Sequence, residues 1–360
     1  MATRSATLAR AARMRAVFEA QQAVVVEPPI LQPAGTLLDL YGEDIRARAY
    51  VTSDAMRGEQ MLRPDFTVPV VQMHMAHGAE PARYTYAGEV FRRQEHDEER
   101  ANEYIQVGYE IFDRTDPAAA DAEVFALIAE ILAPLSLRAA TGDIGVLMAA
   151  VAGLRTTQAR KSALLRHIWR PRRFRALLDR FSGRTPVSAA RKALLADTQP
   201  AAIAPLIGKR GQDEIDTRIA ALRADALAAP LSREEVALIE ALLSVREEMP
   251  FALERLRDIA VDLPAIAPAV EQASRRGDAL AARGIDVASL QFEANYGRTS
   301  MEYYDGFVFG FYCESRPDLP AIATGGRYDA LTRRLGDGGE IPAVGGVLRP
   351  GLVLDLEGAA

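Results

Sequence analysis

Apolar residues change their spacing twice along the chain, and the changes divide it. To about residue 22 they recur as in an amphipathic helix with a basic polar face. Val24-Val25-Val26 then reads as a strand, closed by Glu27-Pro28-Pro29, because proline ends ladder pairing. Residues 61–112 carry short β-branched and aromatic runs separated by turns, the pattern of an antiparallel sheet. Asp116 stands where an N-cap is needed and Pro117 at the first helical position, which predicts a helix over 116–134. Residues 135–140 follow as a strand, and Gly142-Asp143 opens a further helix. From about 150 to 284 alanine, leucine and arginine dominate at helical spacing, most clearly over 158–178, 186–195 and 232–243, with breaks at Pro171, Pro186, Pro230 and Pro250. This stretch reads as a helical insertion with no strand of its own. Strand-like composition returns at Leu290 in QFEANYG, EYYDGFVFGFYC and ATGGRYDAL, and the sequence closes with IPAVGGVLRPGLVLDLEGAA.

The organisation expected is therefore α+β, with one discontinuous unit (1–149 and 285–360) interrupted by the insertion (150–284). A hydrophobic share of 49% over 360 residues is ample for a real core. A formal net charge of −6 argues against broad nucleic-acid binding by field alone. The one cysteine, Cys313, excludes an internal disulfide framework and fits a reducing cytoplasm. Four histidines beside it make a Cys/His zinc site a poor reading. His74 and His77 lie three apart on an expected helix, but no third ligand stands near, so they read as ordinary helix-face residues and no metal is expected. No apolar run approaches the roughly 20 residues of a membrane span; the best, 124–137, contains Glu130 and Pro134. Arg4, Arg10, Arg13 and Arg15 precede the first acid, Glu19, as in a transit peptide. Their apolar neighbours run without a break into Val24, so this segment reads as part of the fold.

The chemistry concentrates in three motifs. MLRPDFTVPVV holds Asp65 and Thr67, RYTYAGEVFRRQ holds Arg92, and EYIQVGYEIF holds Gln106 and Glu110. Gln106 and Glu110 are an even number apart, so on a strand both face one side. Two inward polar groups on an otherwise apolar strand are costly without partners. In this order the motifs resemble the active site of class II aminoacyl-tRNA synthetases, histidyl-tRNA synthetase most closely. That resemblance implies an antiparallel sheet flanked by helices and a pocket for histidine. In it Asp65, Thr67 and Gln106 hold the ammonium, while Glu110 and a Tyr303-Tyr304 pair read the imidazole. The helix–strand–proline start, with Pro28 or Pro29 as the motif proline, implies a homodimer.

The same resemblance marks what is missing. Arg92 matches the arginine that such enzymes place on the ATP phosphates. Their second arginine falls in register on Leu352, with Arg349 three residues earlier beside Pro350. The arginine before the tyrosine pair falls on Thr299, with Arg298 one step away; on a strand one step reverses the face. Arg92 and Arg298 remain candidate anion or carboxylate contacts. The sequence ends at Ala360, directly after the last motif, where a histidyl-tRNA synthetase would continue into an anticodon-binding domain. The combination is similar to the regulatory subunits of ATP phosphoribosyltransferase, synthetase paralogues serving the first step of L-histidine biosynthesis. It implies no catalysis, no cofactor, no tRNA and no membrane. The implied partner is a short-form catalytic subunit in a cytoplasmic hetero-octamer, activated by this chain and inhibited through it by L-histidine. The alternative is a stand-alone ligase that adenylates an amino acid, which Arg92 favours and Leu352 and Thr299 oppose. The cluster Arg166, Arg170, Arg172, Arg173 and Arg175 around Trp169 reads as a solvated helix face or a protein contact.

Overall fold

Residues 2–41, 45–94, 100–196, 208, 211–298 and 303–358 are described in a computed structural model. The strands among them are β1 (Val24–Val25), β2 (Leu31–Pro33), β3 (Val51–Asp54), β4 (Gly58–Leu62), β5 (Ala82–Phe91) and β6 (Glu103–Phe112) in the first part. The later ones are β7 (Arg138–Asp143), β8 (Arg246–Glu248), β9 (Gln291–Glu293), β10 (Phe307–Tyr312), β11 (Ala323–Arg327) and β12 (Ala343–Leu348). Nine of them form one sheet in the order β1-β5-β6-β12-β11-β10-β7-β9-β8, and β2-β4-β3 make a small second sheet. The run from β5 to β7 is antiparallel throughout, as expected. Two parallel junctions, β1–β5 and β7–β9, break the rule near the edges.

β6 lies between β5 and β12 in that antiparallel run and is buried on both faces from Ile105 to Phe112. Its odd residues meet helices. Tyr109 stacks on Phe18 at 4.8 Å and donates to Glu123 at 2.6 Å. Phe18 belongs to the Arg4–Glu19 helix, whose buried residues Thr7, Ala11, Met14 and Phe18 keep a spacing of four, three and four. The basic N-terminal segment is thus packed against β6, with Arg10 paired to Glu357.

Local signals in the sequence act as expected. Asp116 Oδ1 accepts from the amide of Ala119 and starts the Pro117–Leu132 helix. Asp143 Oδ1 accepts from Gly145 and starts Ile144–Gly153. The strand expected over 135–140 begins later, at Arg138, because Ala133–Leu135 is a 3₁₀ turn and Ser136 is left-handed (φ 47°).

The insertion departs from its reading. Its helices include Gln158–Arg166 and Pro171–Phe181, broken before Pro171, and Arg233–Leu243 capped by Ser232. It also supplies β8, which pairs with β9 and closes the edge of the main sheet. The expectation of no strand fails because Arg246-Glu247-Glu248 shows no apolar alternation. Three polar residues become a strand only because β9 offers an open edge. A buried ion network ties the insertion's Ala267–Ala282 helix to the sheet. Asp121, fully buried, accepts from Arg276 at 2.7 Å and from Arg327 at 2.7 Å, and Arg276 reaches Asp143 at 2.9 Å.

Candidate functional site

The even-numbered face of β6 is the floor of a cavity. Gln106, Gly108 and Glu110 point the same way, and Gly88, Tyr86 and Tyr84 lie beside them on β5. On the other side Val347 and Gly345 of β12 sit beside Gly108 and Glu110. The register Leu348↔Val107, carried one residue further, brings Arg349 beside Gln106. Glycine is required on this floor. A Cβ at Gly108 would stand 2.1 Å from the Tyr86 ring, and one at Gly345 would stand 1.4 Å from Glu110 Oε2.

The cavity has a volume of about 170 Å³, below the roughly 300–1,000 Å³ of drug-sized sites. Asp65, Thr67, Arg92, Gln106, Tyr303 and Tyr304 all line it. So do Thr324, Gly345, Gly346, Val347 and Arg349. Asp65 sits just before the Thr67–His77 helix, its Oδ1 accepting from Val68 at 3.3 Å. Arg92 donates through Nε to the carbonyl of Pro64 at 2.7 Å, which holds the guanidinium at the same corner. Gln106 is only 1% exposed, yet among the described residues neither its Oε1 nor its Nε2 has a hydrogen-bond partner. Buried side-chain amides normally have partners, and this one lines the cavity without one among the described residues.

Glu110 is not where a direct contact would place it. It lies one layer behind the lining, enclosed by three hydroxyl donors: Thr67 at 2.9 Å, Tyr86 at 2.8 Å and Tyr328 at 2.6 Å. Burial pushes its carboxyl up to about 7, against the pull of those hydroxyls and with a further push from Asp65. In this structure it positions Thr67 and the tyrosines. Tyr86 and Tyr328 were not singled out from sequence, although RYTYAGEVF and GGRYDAL contain them. Parity along β5 and β6 is legible in sequence, but the register that sets Tyr86 across from Gly108 is not.

Arg298 is likewise displaced from its expected role. It is buried, donates to the carbonyl of Ile168 at 2.7 Å and to Asn295 at 2.6 Å, and stacks over Phe174 at 4.9 Å. The insertion has captured it, and it does not line the cavity. Thr299 lies outside the described residues. Arg349, three residues out of register with the second arginine of the synthetases, does reach the site. Pro350 starts the Pro350–Glu357 helix, and Arg349 precedes that helix with its side chain on the cavity side. Trp169, inside the basic cluster, donates to the carbonyl of Tyr304 at 3.2 Å, so the insertion touches the cavity wall. His74 is a core residue, stacked on Phe112 at 4.0 Å and bonded to the Tyr84 hydroxyl at 3.1 Å. Among the described residues no group of three His, Cys, Asp or Glu side chains could hold a metal ion, and no helix is long and apolar enough to cross a membrane.

Acceptors, guanidinium donors and an open amide around a small cavity suit a compact zwitterion with a polar side chain. Sheet order and pocket together define a class II aminoacyl-tRNA synthetase-like protein. The family model described as histidyl-tRNA synthetase matches residues 4–351. The chain aligns with a crystal structure of an ATP phosphoribosyltransferase regulatory subunit/histidyl-tRNA synthetase from Bacillus halodurans at a TM-score of 0.69 and 20% identity. That alignment covers 98% of this chain and 79% of the other. Histidyl-tRNA synthetase from Nostoc sp. PCC 7120 aligns at 0.65 and 16%, covering 98% and 72%. An ATP phosphoribosyltransferase regulatory subunit of Brucella ovis is 30% identical over 356 residues, 92% of this chain and 93% of that one. The counterpart from Brucella abortus matches at 30% over 92% of each. The chain belongs to the family of ATP phosphoribosyltransferase regulatory subunits, histidyl-tRNA synthetase-like in fold.

Proposed function

We propose that this chain is a non-catalytic regulatory subunit of ATP phosphoribosyltransferase, acting at the first step of L-histidine biosynthesis in the cytoplasm. It activates a short-form catalytic subunit, with which it forms a hetero-octamer built on its own homodimer, and it confers feedback inhibition by histidine. The observation that carries this reading is a match over 92% of the chain to relatives of that name, combined with a pocket in which Asp65, Thr67, Gln106 and the Tyr303-Tyr304 pair converge. Leu352, in the register of the second catalytic arginine, supports a pocket kept for binding rather than chemistry. Feedback requires histidine to favour one assembly state over another, a coupling of typically about 1–3 kcal/mol. The contact of Trp169 with Tyr304 offers the insertion a route to sense an occupied pocket.

The test is the rate of phosphoribosyl-ATP formation by the short catalytic subunit from the same genome, with and without this chain, across a histidine titration. A rate that rises on adding the chain and falls again with histidine is expected. No change in rate or histidine response would overturn the proposal. A second reading, an amino-acid adenylating ligase, gains from the two arginines, Arg92 and Arg349, on the cavity wall. Histidine-dependent ATP–pyrophosphate exchange would favour it over the first.

A further inference from the structure

We infer that Arg349, with the amide of Gln106 on the same cavity wall, binds the carboxylate of the amino acid that occupies this cavity, in place of the ammonium contact that the resemblance implies for Gln106. The inference rests on the amino-acid reading above and assigns one end of that ligand. The cavity lining carries it. Arg349 follows β12 directly and lines the same cavity as Gln106, while Glu110 lies four residues from Gln106 along β6. Four strand residues span roughly 13 Å, so Gln106 lies well along the floor from Glu110, which sits behind the lining among three hydroxyls.

Among the described residues Arg349 has the carbonyl of Ala321 and the Tyr104 ring as partners and no carboxylate. Burial lowers its basicity, and the nearby charges of Arg92 and Arg100 add to that. A guanidinium held in place by a carbonyl and a ring, near two more cations, favours an arriving anion. Gln106 adds a second, independent sign: a buried amide with both polar atoms open, on the wall of the same cavity. The rival, Arg298, is committed to Ile168 and Asn295 away from the cavity.

Calorimetric titration of the full chain with L-histidine and with histamine, the same molecule without its carboxylate, tests the assignment. The native chain is expected to prefer histidine. Arg349→Met is expected to weaken histidine by roughly 10- to 150-fold, the range for a hydrogen bond to a charged group, and to leave histamine unchanged. Arg349→Lys, which keeps the charge and loses the fork, should lose part of the histidine affinity and none of the histamine affinity. The ratio of the two ligands is blind to a purely structural defect. A native chain that binds both alike, or variants that keep or lose both together, would overturn the assignment and leave the amino-acid pocket standing. A native chain that binds neither would overturn the pocket and the assignment with it.

Discussion

Replacing Gln106 with methionine should raise the stability of the ligand-free chain and lower its affinity for histidine, two effects of opposite sign from one side chain. Methionine keeps the length and flexibility of glutamine but asks for no hydrogen bonds. Burying a polar group without partners costs roughly 1–3 kcal/mol, and Gln106 has two such atoms at 1% exposure. The adjoining cavity of about 170 Å³ is large enough to admit water, so the gain expected is the lower figure, about 1 kcal/mol. For a chain of 360 residues that is a rise of roughly 1 °C in Tm, so the urea midpoint is the more sensitive measure. Affinity should fall roughly 10-fold or more, because the amide is then absent from a charged ligand. Urea denaturation and calorimetry on both proteins measure the two quantities. With saturating histidine the order of stabilities should reverse, since the native chain gains about 1.4 kcal/mol more from ligand for each tenfold in affinity. A ligand-free Gln106→Met protein that unfolds at lower urea than the native chain would refute the reasoning, for it would mean that the amide is already satisfied.

Asp121→Asn should destabilise the fold by roughly 3–5 kcal/mol, because it leaves the buried guanidiniums of Arg276 and Arg327 without their shared carboxylate. A loss below about 1 kcal/mol in urea denaturation would show that Asp143, on Arg276, and Asp329, which accepts from Arg327 at 3.0 Å, suffice. Glu110→Gln should flatten the pH dependence of stability. The folded carboxyl sits at about 7 against an ordinary 4.5, so the neutral form is favoured in the fold. Its contribution is full below about pH 4.5 and is lost as pH rises through about 7. Asp305, also raised to about 7 by burial and by Asp329, acts with the same sign over a similar range. The variant should therefore lose part of the slope, and an unchanged slope in Tm between pH 4.5 and 7.5 would count against the shift.

What could be read from the sequence rests on near neighbours. The caps at Asp116, Asp143 and Ser232 work because a side chain needs only the amide two or three residues on. Gln106 shares a face with Glu110 because strand side chains alternate, whatever the strand pairs with. The order of the motifs, as a resemblance, pointed to the fold and to six residues that do line one cavity. The departures each depend on chain segments far apart. Glu110 is closed off by Tyr328, 218 residues away, and Arg298 is drawn aside by Ile168, 130 residues away. Arg349 reaches the site through the register of β12 on β6, and β8 exists because β9 needed a partner. Parity and capping are properties of a short stretch of backbone, and the sequence determined them alone. Which hydroxyl meets a carboxylate, or which arginine faces the cavity, depends on how strands register and helices pack, and only the tertiary structure decided it.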